Sequence, residues 1–362
     1  MARILALMIV IVLTVSPAAA EDFCVSTAAE LQNALTQAQG NAQDNQIRIV
    51  KGTYYTADNG NPNLGFNYAN SMPGSLTITG GWLPNCTPSR LRSGAFETVL
   101  DGGNADRVLA IAAGSANVSI AISNLTIQFG HAPTSHASTA GALLIKGYGA
   151  GDEVGTVSID RVAFTGNQGV TDSALSIYSY DRVDITNCLF NDNLVSGAYT
   201  ASVVRNAISS HATYFINNTV VNNIRLAGTI SAGVRLVKSG AGGNVAANNI
   251  LWNNTSLDIA FSPISENQHL LYNTVQNVAG NSGLNVGNSD ANPMLESDFR
   301  LQSSSPAIDA GFEPSPGIPD PSPELDWSLG DFDVVGTLRV AGATVDMGAF
   351  EALDEIFNDN FE

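Results

Sequence analysis

The 362-residue sequence has few charged residues, few basic ones in particular, and few cysteines. Only 13% of the residues are charged, about half of the roughly 25% that is typical of soluble domains. Lys and Arg together number 15 against 33 Asp and Glu, so no basic face can be assembled and nucleic acid is excluded as a partner. The four His residues show no His-x-x-x-His spacing, which argues against a zinc site. With 44% hydrophobic residues, the chain is not of the disordered class.

Long apolar runs are absent after the first 20 residues. Met1 to Arg3 form a short positive region, Ile4 to Val15 are apolar, and small residues follow. This order is typical of a secretory signal peptide, with cleavage predicted between Ala20 and Glu21. A membrane anchor is the weaker alternative, because the run has about a dozen residues where a spanning helix needs about 20. We therefore expect an exported protein, secreted or held at the cell surface, with no transmembrane segment in the mature chain.

The three cysteines of an exported chain fold in an oxidising compartment, and an odd number leaves one unpaired. Cys24 and Cys86 both lie in polar, turn-rich sequence near the N-terminus, and we predict that they pair. Cys188 lies between apolar residues within a repeat. It is predicted to be an inert buried thiol and not a nucleophile.

A short pattern recurs through the middle of the chain. It has an apolar residue, a spacer, a third residue that is usually Asn, and apolar residues one and three positions after that third residue. Six copies begin at Ile122, Ile159, Ile185, Ile216, Ala247 and Leu271. Their third positions are 124, 161, 187, 218, 249 and 273, in steps of 37, 26, 31, 31 and 24 residues. Short alternating runs bounded by Gly, Asn, Asp and Ser indicate short strands, which must stack on copies of themselves to bury an apolar face.

Asparagine is concentrated in the same region: 20 of the 35 Asn residues lie between Asn187 and Asn292. At equivalent positions of stacked coils, Asn side chains can form amide ladders, and Asn tolerates the left-handed backbone of a sharp corner. The sequence therefore predicts an all-β protein, a right-handed parallel β-helix. An antiparallel sandwich or propeller is the alternative, disfavoured because Asn-Gly hairpin signals are few.

The N-terminal end of such a solenoid has to be covered. Thr27 and Glu30 match a capping box, with Val25 placed as a hydrophobic staple. An apolar stripe follows at Leu31, Ala34, Leu35 and Ala38. Together they predict one short amphipathic helix over residues 28–38, laid over the first coil.

Motifs near both ends resemble those of a known family. The N-terminal ones are Cys24 to Leu31, Gly52 to Tyr54, Gly80 to Trp82, Cys86 and Val99 to Gly102. They resemble the start of bacterial secreted β-helix proteins of the pectin-lyase-like superfamily. The C-terminal ones are Asn292-Pro293, Asp298 to Leu301, Ser305 to Gly311, Gly336, Arg339 and Val345 to Glu351. They resemble the choice-of-anchor Q region that ends many surface β-helix proteins, and residues 356–362 resemble a terminal tag of exported Gram-negative proteins. The resemblance implies fold and secretion, and no particular activity.

These observations give a predicted organisation of five parts. They are a signal peptide (1–20), an N-terminal cap with the first coil (21–75), the β-helix (76–290), a choice-of-anchor Q-like closing segment (291–351) and an acidic tail (352–362). Residues 290–362 carry 16 acids and two bases, whereas the preceding 289 residues carry 17 acids and 13 bases. The net charge of -18 therefore belongs mainly to the C-terminal end.

Enzymes of the resembled fold would place clustered aspartates on one strand face to hold calcium, or paired aspartates with a Gly-His-Gly element. Here the acids of the repeat region are single: Asp160, Asp172, Asp181, Asp184, Asp192 and Asp258. Asp181 and Asp184 are three apart and so point to opposite faces of a strand. Gly130-His131-Ala132 lacks the second Gly, and His131 and His136 are predicted to be surface residues. No Gly-x-Ser-x-Gly elbow is present, so no catalytic residue, metal ligand or cofactor is predicted.

One calcium site remains an alternative to that expectation. Asp331 and Asp333, together with Asp346, could ligate calcium through their oxygens. Because all three fall in the C-terminal motif, we favour a structural role in which they fix the closing segment with Arg339 as their partner.

Aromatic residues suggest a binding function. Those predicted to be exposed, and so available for stacking on sugars, are Tyr54, Tyr55, Trp82, Tyr178 and Tyr180. Trp252 is instead predicted to be in the core. We therefore predict a monomeric, non-catalytic protein of the cell surface or medium that binds a polysaccharide or another surface glycan. The alternative is a polysaccharide lyase or glycoside hydrolase whose acids meet only in three dimensions.

Overall fold

The computed structural model describes most of the chain after the predicted signal peptide. The described ranges are 21–61, 65–87, 94–114, 118–132, 140–147, 155–178, 180–197, 202–208, 212–226, 233–238, 243–265, 267–281, 283–313 and 327–352. Ala20, His136 and the tail after Ala352 lie outside the described residues.

The described residues form 27 strands and one α-helix. The first strands are β1 (Glu21–Val25), β2 (Asn45–Val50), β3 (Gly52–Tyr55), β4 (Phe66–Asn70), β5 (Leu76–Trp82), β6 (Thr98–Asp101), β7 (Leu109–Ala113), β8 (Ile120–Gln128) and β9 (Leu143–Gly147). The next are β10 (Thr156–Thr165), β11 (Gln168–Gly169), β12 (Asp172–Tyr178), β13 (Arg182–Thr186), β14 (Leu189–Asn191), β15 (Leu194–Val195), β16 (Ser202–Ile208), β17 (Ala212–Ile216) and β18 (Thr219–Val221). The last are β19 (Ile224–Arg225), β20 (Val234–Lys238), β21 (Gly243–Ala247), β22 (Ile250–Trp252), β23 (Ile259–Ser265), β24 (Gln268–Leu271), β25 (Thr274–Val275), β26 (Val278–Asn281) and β27 (Asn285–Val286). Short 3-10 helices cover Thr56–Asp58, Pro84–Cys86 and Ala95–Glu97.

These strands build a right-handed parallel β-helix, as the repeat predicted. Strands pair in parallel with their equivalents one coil away, in a 16-stranded sheet, an eight-stranded sheet and a three-stranded sheet. A regular coil runs through four strands, such as β13 to β16 and then β17 to β20, each paired with its counterpart. The inward-pointing apolar side chains of successive coils form one continuous core. Because each strand pairs only with its neighbours, the apolar face is buried by stacking coils.

The predicted helix closes the N-terminal end of the solenoid. α1 covers Ala28–Ala38, with the capping box between Thr27 and Glu30 and the predicted apolar stripe buried. Its side chains also reach the first strand of the eight-stranded sheet: Gln32 accepts from the N–H of Asn67 at 2.9 Å and donates to its carbonyl at 3.1 Å. Gln39 accepts from the N–H of Ala69 at 2.9 Å. The helix therefore covers an edge whose free backbone groups would otherwise invite aggregation.

The repeat needs one correction in its alignment. Strand register pairs Thr186 with Ile216 and Ile216 with Ala247, so the third position of the later copies is one residue earlier than the sequence pattern places it. The equivalent residues are Asn124, Arg161, Asn187, Asn217, Asn248 and Tyr272, all with φ between 53° and 58°. We call them the first corner column. In the copies that begin at Ile216 and Ala247, Asn occurs twice in succession, and the first Asn takes the left-handed corner while the second points inward. In the last copy Tyr272 takes the corner and Asn273 points inward.

A second corner lies five residues further along each coil. It contains Phe129, Gly166, Asp192, Asn222 and Asn253, again with positive φ, and we call it the second corner column. The prediction that Asn would occupy left-handed corners is confirmed at four of the six positions of the first column and at two of the five positions of the second, since Asn adopts this backbone region more readily than most residues.

The inward-pointing Asn residues form two ladders of amide hydrogen bonds, as predicted. The first ladder joins Asn218, Asn249, Asn273 and Asn288. The second ladder joins Asn167, Asn193, Asn223 and Asn254, and ends on the carboxylate of Asp258. Each ladder amide also donates to a carbonyl of the preceding coil, as Asn223 does to Phe190 at 3.0 Å. Buried amides are thereby satisfied without water, which is what makes them tolerable in a core.

The cysteines behave as predicted. Cys24 and Cys86 form a disulfide that joins β1 to the short 3-10 helix Pro84–Cys86 that follows β5. Cys188 is fully buried and takes the place of an Asn at the head of the first ladder: its N–H donates to the Oδ1 of Asn218 at 2.9 Å. Burial raises the pKa of its thiol, so it stays protonated and inert.

After the last coil the chain turns back and runs along the outside of the β-helix. This closing segment hydrogen-bonds to the first corner column: Asn187 and Asn217 donate to the carbonyl of Leu329, and Asn248 to that of Phe312. Outward apolar residues of several coils are buried beneath it, namely Ala163, Leu189, Val221 and Ile250. Gly348 has φ +97°, and a Cβ there would lie 2.7 Å from the Ile250 side chain, so this close approach depends on glycine.

Two of the three predicted acids of the closing segment, Asp333 and Asp346, accept hydrogen bonds within it, but the described ion pair of Arg339 is not made with them. Asp333 accepts from the N–H groups of Val335, Thr337 and Glu351. Arg339 pairs instead with Glu351 at 3.1 Å, with both side chains almost wholly buried. Among the described residues, no group of three His, Cys, Asp or Glu side chains lies close enough to hold a metal ion.

Arg339 makes two further hydrogen bonds that tie this segment to the solenoid. Its Nε donates to Oδ1 of Asn187 at 2.9 Å, and its Nη2 donates to the carbonyl of Gly348 at 2.8 Å. The shared C-terminal motif suggested the aspartates as partners, whereas the fold of the segment brings Glu351 to the guanidinium.

Three buried carboxyls predict how stability depends on pH. Burial raises the pKa of Asp258 and Asp346, and raises that of Glu351 to about 7 despite Arg339. When folding raises the pKa of an acid, the folded state binds more protons than the unfolded state between the two pKa values. The free energy of unfolding is therefore highest below the unfolded-state pKa and falls as the pH rises through the folded-state pKa. Folding lowers the pKa of Glu30, so this residue makes stability depend on pH in the opposite direction, but only in more acidic solution. We expect a melting temperature several degrees higher at pH 5 than at pH 8, measured by calorimetry.

Glu351→Gln tests the origin of this dependence. It removes the titration and keeps one of the two side-chain oxygens, which can still accept from Arg339 and from the N–H of Asp346, while the N–H of Ala341 loses its acceptor. The difference between the two pH values should shrink in this variant and persist in the exposed control Glu296→Gln. A slope of opposite sign in the unmodified protein would show that the buried acids do not govern it.

Candidate functional site

A groove in the described surface lies between the coils and the closing segment. It has a volume of about 500 Å³, and we call it the first groove. The coils contribute Asp192, Val221, Asn222, Trp252 and Asn253. The closing segment contributes Asn292, Pro293, Leu295, Glu296, Ser297 and Phe299. The lining thus combines amides, two carboxylates and aromatic rings.

The coil side of the groove is the second corner column. Asp192, Asn222 and Asn253 succeed one another in stacked coils with the same φ of 56°. The Nδ2 of Asn253 donates to the Oδ1 of Asn222 at 2.7 Å, and the Nδ2 of Asn191 donates to Asp192 at 2.8 Å. Because parallel strands are about 4.8 Å apart, the column presents polar groups at that interval along the solenoid. The first corner column is occupied by the chain's own closing segment, whereas this one faces the groove.

Trp252 is the aromatic residue of the first groove, and its predicted place in the core is wrong. Leu251 points inward and is fully buried, whereas Trp252 is half-buried. Its ring packs against the cluster formed by outward-facing coil residues and Met347 of the closing segment. The alternation of β22 decides this, since neighbouring strand residues point to opposite faces. The outward position leaves part of the indole accessible to a ligand.

The closing-segment side is a tight antiparallel turn. A backbone bridge joins Leu295 to Leu301, and Glu296 donates its N–H to the carbonyl of Arg300 at 2.8 Å. The Oδ1 of Asn292 accepts from the N–H of Met294 at 2.9 Å. These bonds hold Asn292 and Glu296 in place on the rim, although both are exposed.

A second groove of about 470 Å³ adjoins the first, and Phe299 lines both. Its lining is more apolar and includes Phe96, which is 46% exposed, and Phe350. Among its described lining residues, Arg300 carries a positive charge. The Arg300 guanidinium lies over the Phe350 ring, 5.8 Å from the ring centroid, and its Nε lies 3.5 Å from Asp298. The two grooves make a continuous surface along the flank of the solenoid.

The aromatic residues predicted for sugar stacking are not brought together. Tyr54 and Tyr180 are buried, so the prediction that they are exposed is wrong. Tyr178 is half-buried and donates to Asp172 at 3.2 Å. Trp82 lies under the guanidinium of Arg48, 5.0 Å away. Tyr55, 48% exposed, lines a smaller hollow of about 210 Å³.

The remaining sequence candidates stay apart from the grooves. Asp184 accepts from Arg182 at 2.9 Å, and Asp181 also has an interaction partner. His131 is half-buried on the edge of the three-stranded sheet, where its backbone bridges to Gln168. His269 is buried, and its Nδ1 accepts from the N–H of Leu284 at 3.0 Å.

The groove residues were missed because they are distant in sequence. Asp192 was among the single acids, but nothing in the sequence connects it with Glu296. The repeat itself held a usable signal: a polar corner one residue after each outward strand residue recurs as Asp192, Asn222 and Asn253. The return path of the closing segment, which brings Asn292 and Glu296 beside them, had no such signal.

Comparison with known proteins adds no family assignment. No protein-family model, no curated protein and no solved structure matches the chain. Within the described part of the chain, no helix has the length and apolarity to span a membrane. The fold and the grooves therefore stand alone as evidence for function.

Proposed function

We propose that this protein is an exported β-helix protein that binds a polysaccharide or another surface glycan along its flank, without catalysis. The observation that carries the proposal is the first groove, in which the half-buried indole of Trp252 lies among side-chain amides and carboxylates. Sugars present an apolar face of C–H groups and a rim of hydroxyls. An aromatic ring with nearby polar side chains suits both.

The shape of the groove supports a polymeric ligand. The second corner column repeats its polar groups from coil to coil, and the adjoining second groove prolongs the surface past Phe299. A chain of sugar units can follow such a surface, whereas a single small molecule would contact only part of it.

Removal of the ring tests the proposal. Trp252→Ala should weaken binding of a retained glycan at least about tenfold, because a central aromatic anchor contributes about 1.4 kcal/mol or more. Tyr55→Ala, which removes an exposed aromatic ring outside both grooves, is the matched control and should bind normally. A glycan array identifies the ligand, and titration calorimetry measures the affinities. Equal affinities for the two variants would refute the site.

An enzyme is the second candidate, and one observation favours it: Asp192 and Glu296 both line the first groove. Paired carboxylates are the usual machinery of glycoside hydrolysis. Incubation with polysaccharides, followed by assays of reducing ends and of the absorbance of unsaturated products, distinguishes the two functions. Activity that is lost in Asp192→Asn or Glu296→Gln would replace the binding proposal with a hydrolase or lyase.

Export belongs to the same proposal. It is supported by the sequence of residues 1–20 and by the Cys24–Cys86 disulfide, which needs an oxidising compartment to persist. The finer assignment of residues 291–351 to a choice-of-anchor Q-like region is supported by the motif residues Asp309, Arg339, Asp346 and Glu351, which all make hydrogen bonds within this segment. The mass of the secreted protein should correspond to a chain that begins at Glu21.

A further inference from the structure

We infer that the first groove selects amino-sugar polymers, whose protonated amines are cationic, over uronate polymers, which are anionic. The inference rests on the proposed glycan-binding function and names the ligand class of that site. It depends on the charge inside the groove, which is separate from the stacking surface that Trp252 provides.

The described lining of the first groove contains two acids and no lysine or arginine. Asp192 accepts a hydrogen bond only from a neutral amide in the contacts around it, that of Asn191. Glu296 is exposed, and its described bond is made by the backbone. Neither carboxylate has a described ion pair, in contrast to Asp298 in the second groove, which lies 3.5 Å from Arg300.

This charge arrangement discriminates between sugar classes. A uronate in the first groove would bring its carboxylate beside two others, and like charges that are brought together without a cation repel. An ammonium group gains the opposite interaction and can donate hydrogen bonds to Asp192 or Glu296. The side-chain amides of Asn222 and Asn253 can hydrogen-bond to the hydroxyls of amino sugars and of uronates alike, so they do not select between the two sugar classes.

The net charge of -18 acts in the same direction but is not specific to the site. Charges farther than about 8 Å are largely screened at 0.15 M ionic strength. Selection at physiological salt must therefore come from the two carboxylates of the groove, which gives the inference a local test.

The experiment compares oligomers of glucosamine, N-acetylglucosamine and galacturonate of equal length by titration calorimetry at mildly acidic pH. The glucosamine oligomer should bind at least about tenfold more tightly than the neutral one, which is a difference of about 1.4 kcal/mol, and the galacturonate oligomer should bind most weakly. In the double variant Asp192→Asn/Glu296→Gln, the affinity for glucosamine should fall to that for the neutral oligomer. Affinity for the neutral oligomer should stay unchanged.

Two controls separate this inference from the proposal on which it rests. Asp22→Asn/Asp58→Asn removes two exposed charges outside the groove and should preserve the selectivity. Trp252→Ala should weaken all three ligands. If the oligomers bind and Trp252→Ala abolishes binding, but the glucosamine preference is absent or survives the double variant, the charge inference is wrong and glycan binding stands. If none of them binds, both the inference and the glycan-binding proposal are wrong for these sugars.

Discussion

Asn223→Asp should destabilise the protein by about 3–6 kcal/mol at neutral pH, since several buried polar groups lose partners at about 1–3 kcal/mol each. Asn223 lies in the middle of the second ladder. Its Nδ2 donates to the carbonyl of Phe190 at 3.0 Å and to Oδ1 of Asn254 at 2.9 Å. A carboxylate cannot donate, so both acceptors would face a buried negative charge instead of an N–H group.

The side-chain oxygen of Asn223 predicts a different loss of stability from the loss of its Nδ2 donor. Oδ1 of Asn223 accepts from both the backbone N–H and the Nδ2 of Asn193, each at 3.0 Å. Asn223→Asp keeps this acceptor oxygen but loses the Nδ2 donor, whereas Asn223→Leu removes both the acceptor and the donor. Because burial disfavours the charged form, the aspartate variant should recover part of its stability in acid, when it is protonated. The leucine variant should show no such recovery.

Urea denaturation at neutral and acidic pH measures both effects. Asn253→Asp is the matched control: it lies in the next coil, it is exposed, and its left-handed φ of 56° is the same as that of Asp192 in its corner column. Its cost should be below about 0.5 kcal/mol. If Asn223→Asp costs no more than this control, the ladder does not hold the coils together.

Arg339→Met should cost about 3–5 kcal/mol at pH 8, above the folded-state pKa of about 7 of Glu351, because it leaves that buried carboxylate without its ion pair. The same change breaks the bond from Arg339 Nε to Asn187, which ties the closing segment to the first corner column. The loss should therefore be concentrated in the closing segment. Amide hydrogen exchange should show residues 327–352 losing protection while α1 and the first coils retain theirs.

Two further variants check the cause. Arg300→Met removes a cation whose pair with Asp298 is exposed and 3.5 Å long, so it should change stability by less than about 1 kcal/mol. Arg339→Met combined with Glu351→Leu removes both charges and should regain the part of the loss that comes from the unpaired carboxylate. The hydrogen bonds from Arg339 to Asn187 and Gly348 stay broken, so the rest of the loss should remain. Uniform loss of protection over the whole solenoid would show that the closing segment and the coils unfold as one unit.

Much of the fold was predictable because the signals are local and repeated. The capping box at Thr27 and Glu30 and the stripe that follows predicted α1 with its observed bounds. The repeat predicted parallel stacking and amide ladders, because strand alternation recurs in every coil and Asn recurs at or beside the corners of most of them. The alignment erred by one residue where Asn217 and Asn218 are adjacent, since two identical residues do not reveal which of them turns the corner.

The candidate site was predictable only in part. Aromatic and polar residues suggested glycan binding, but the particular aromatics were wrong: Tyr54 and Tyr180 are buried. Trp252 became the principal ring because the alternation of a three-residue strand, too short to assign reliably, turns it outward. Its groove exists only because the closing segment lies beside it.

The sequence by itself determined the kind of structure: a β-helix of nearly neutral coils, with left-handed Asn corners, a helix over one end and most of its net negative charge in the C-terminal part. Periodic spacing and capping depend on neighbouring residues, so the order of the chain is enough to predict them. Only the tertiary structure decided that the C-terminal part returns along the flank. That path pairs Arg339 with Glu351 and places Glu296 in one groove with Asp192 and Trp252. Such contacts join residues far apart in the chain, and their energies depend on burial and close packing, which no local pattern records.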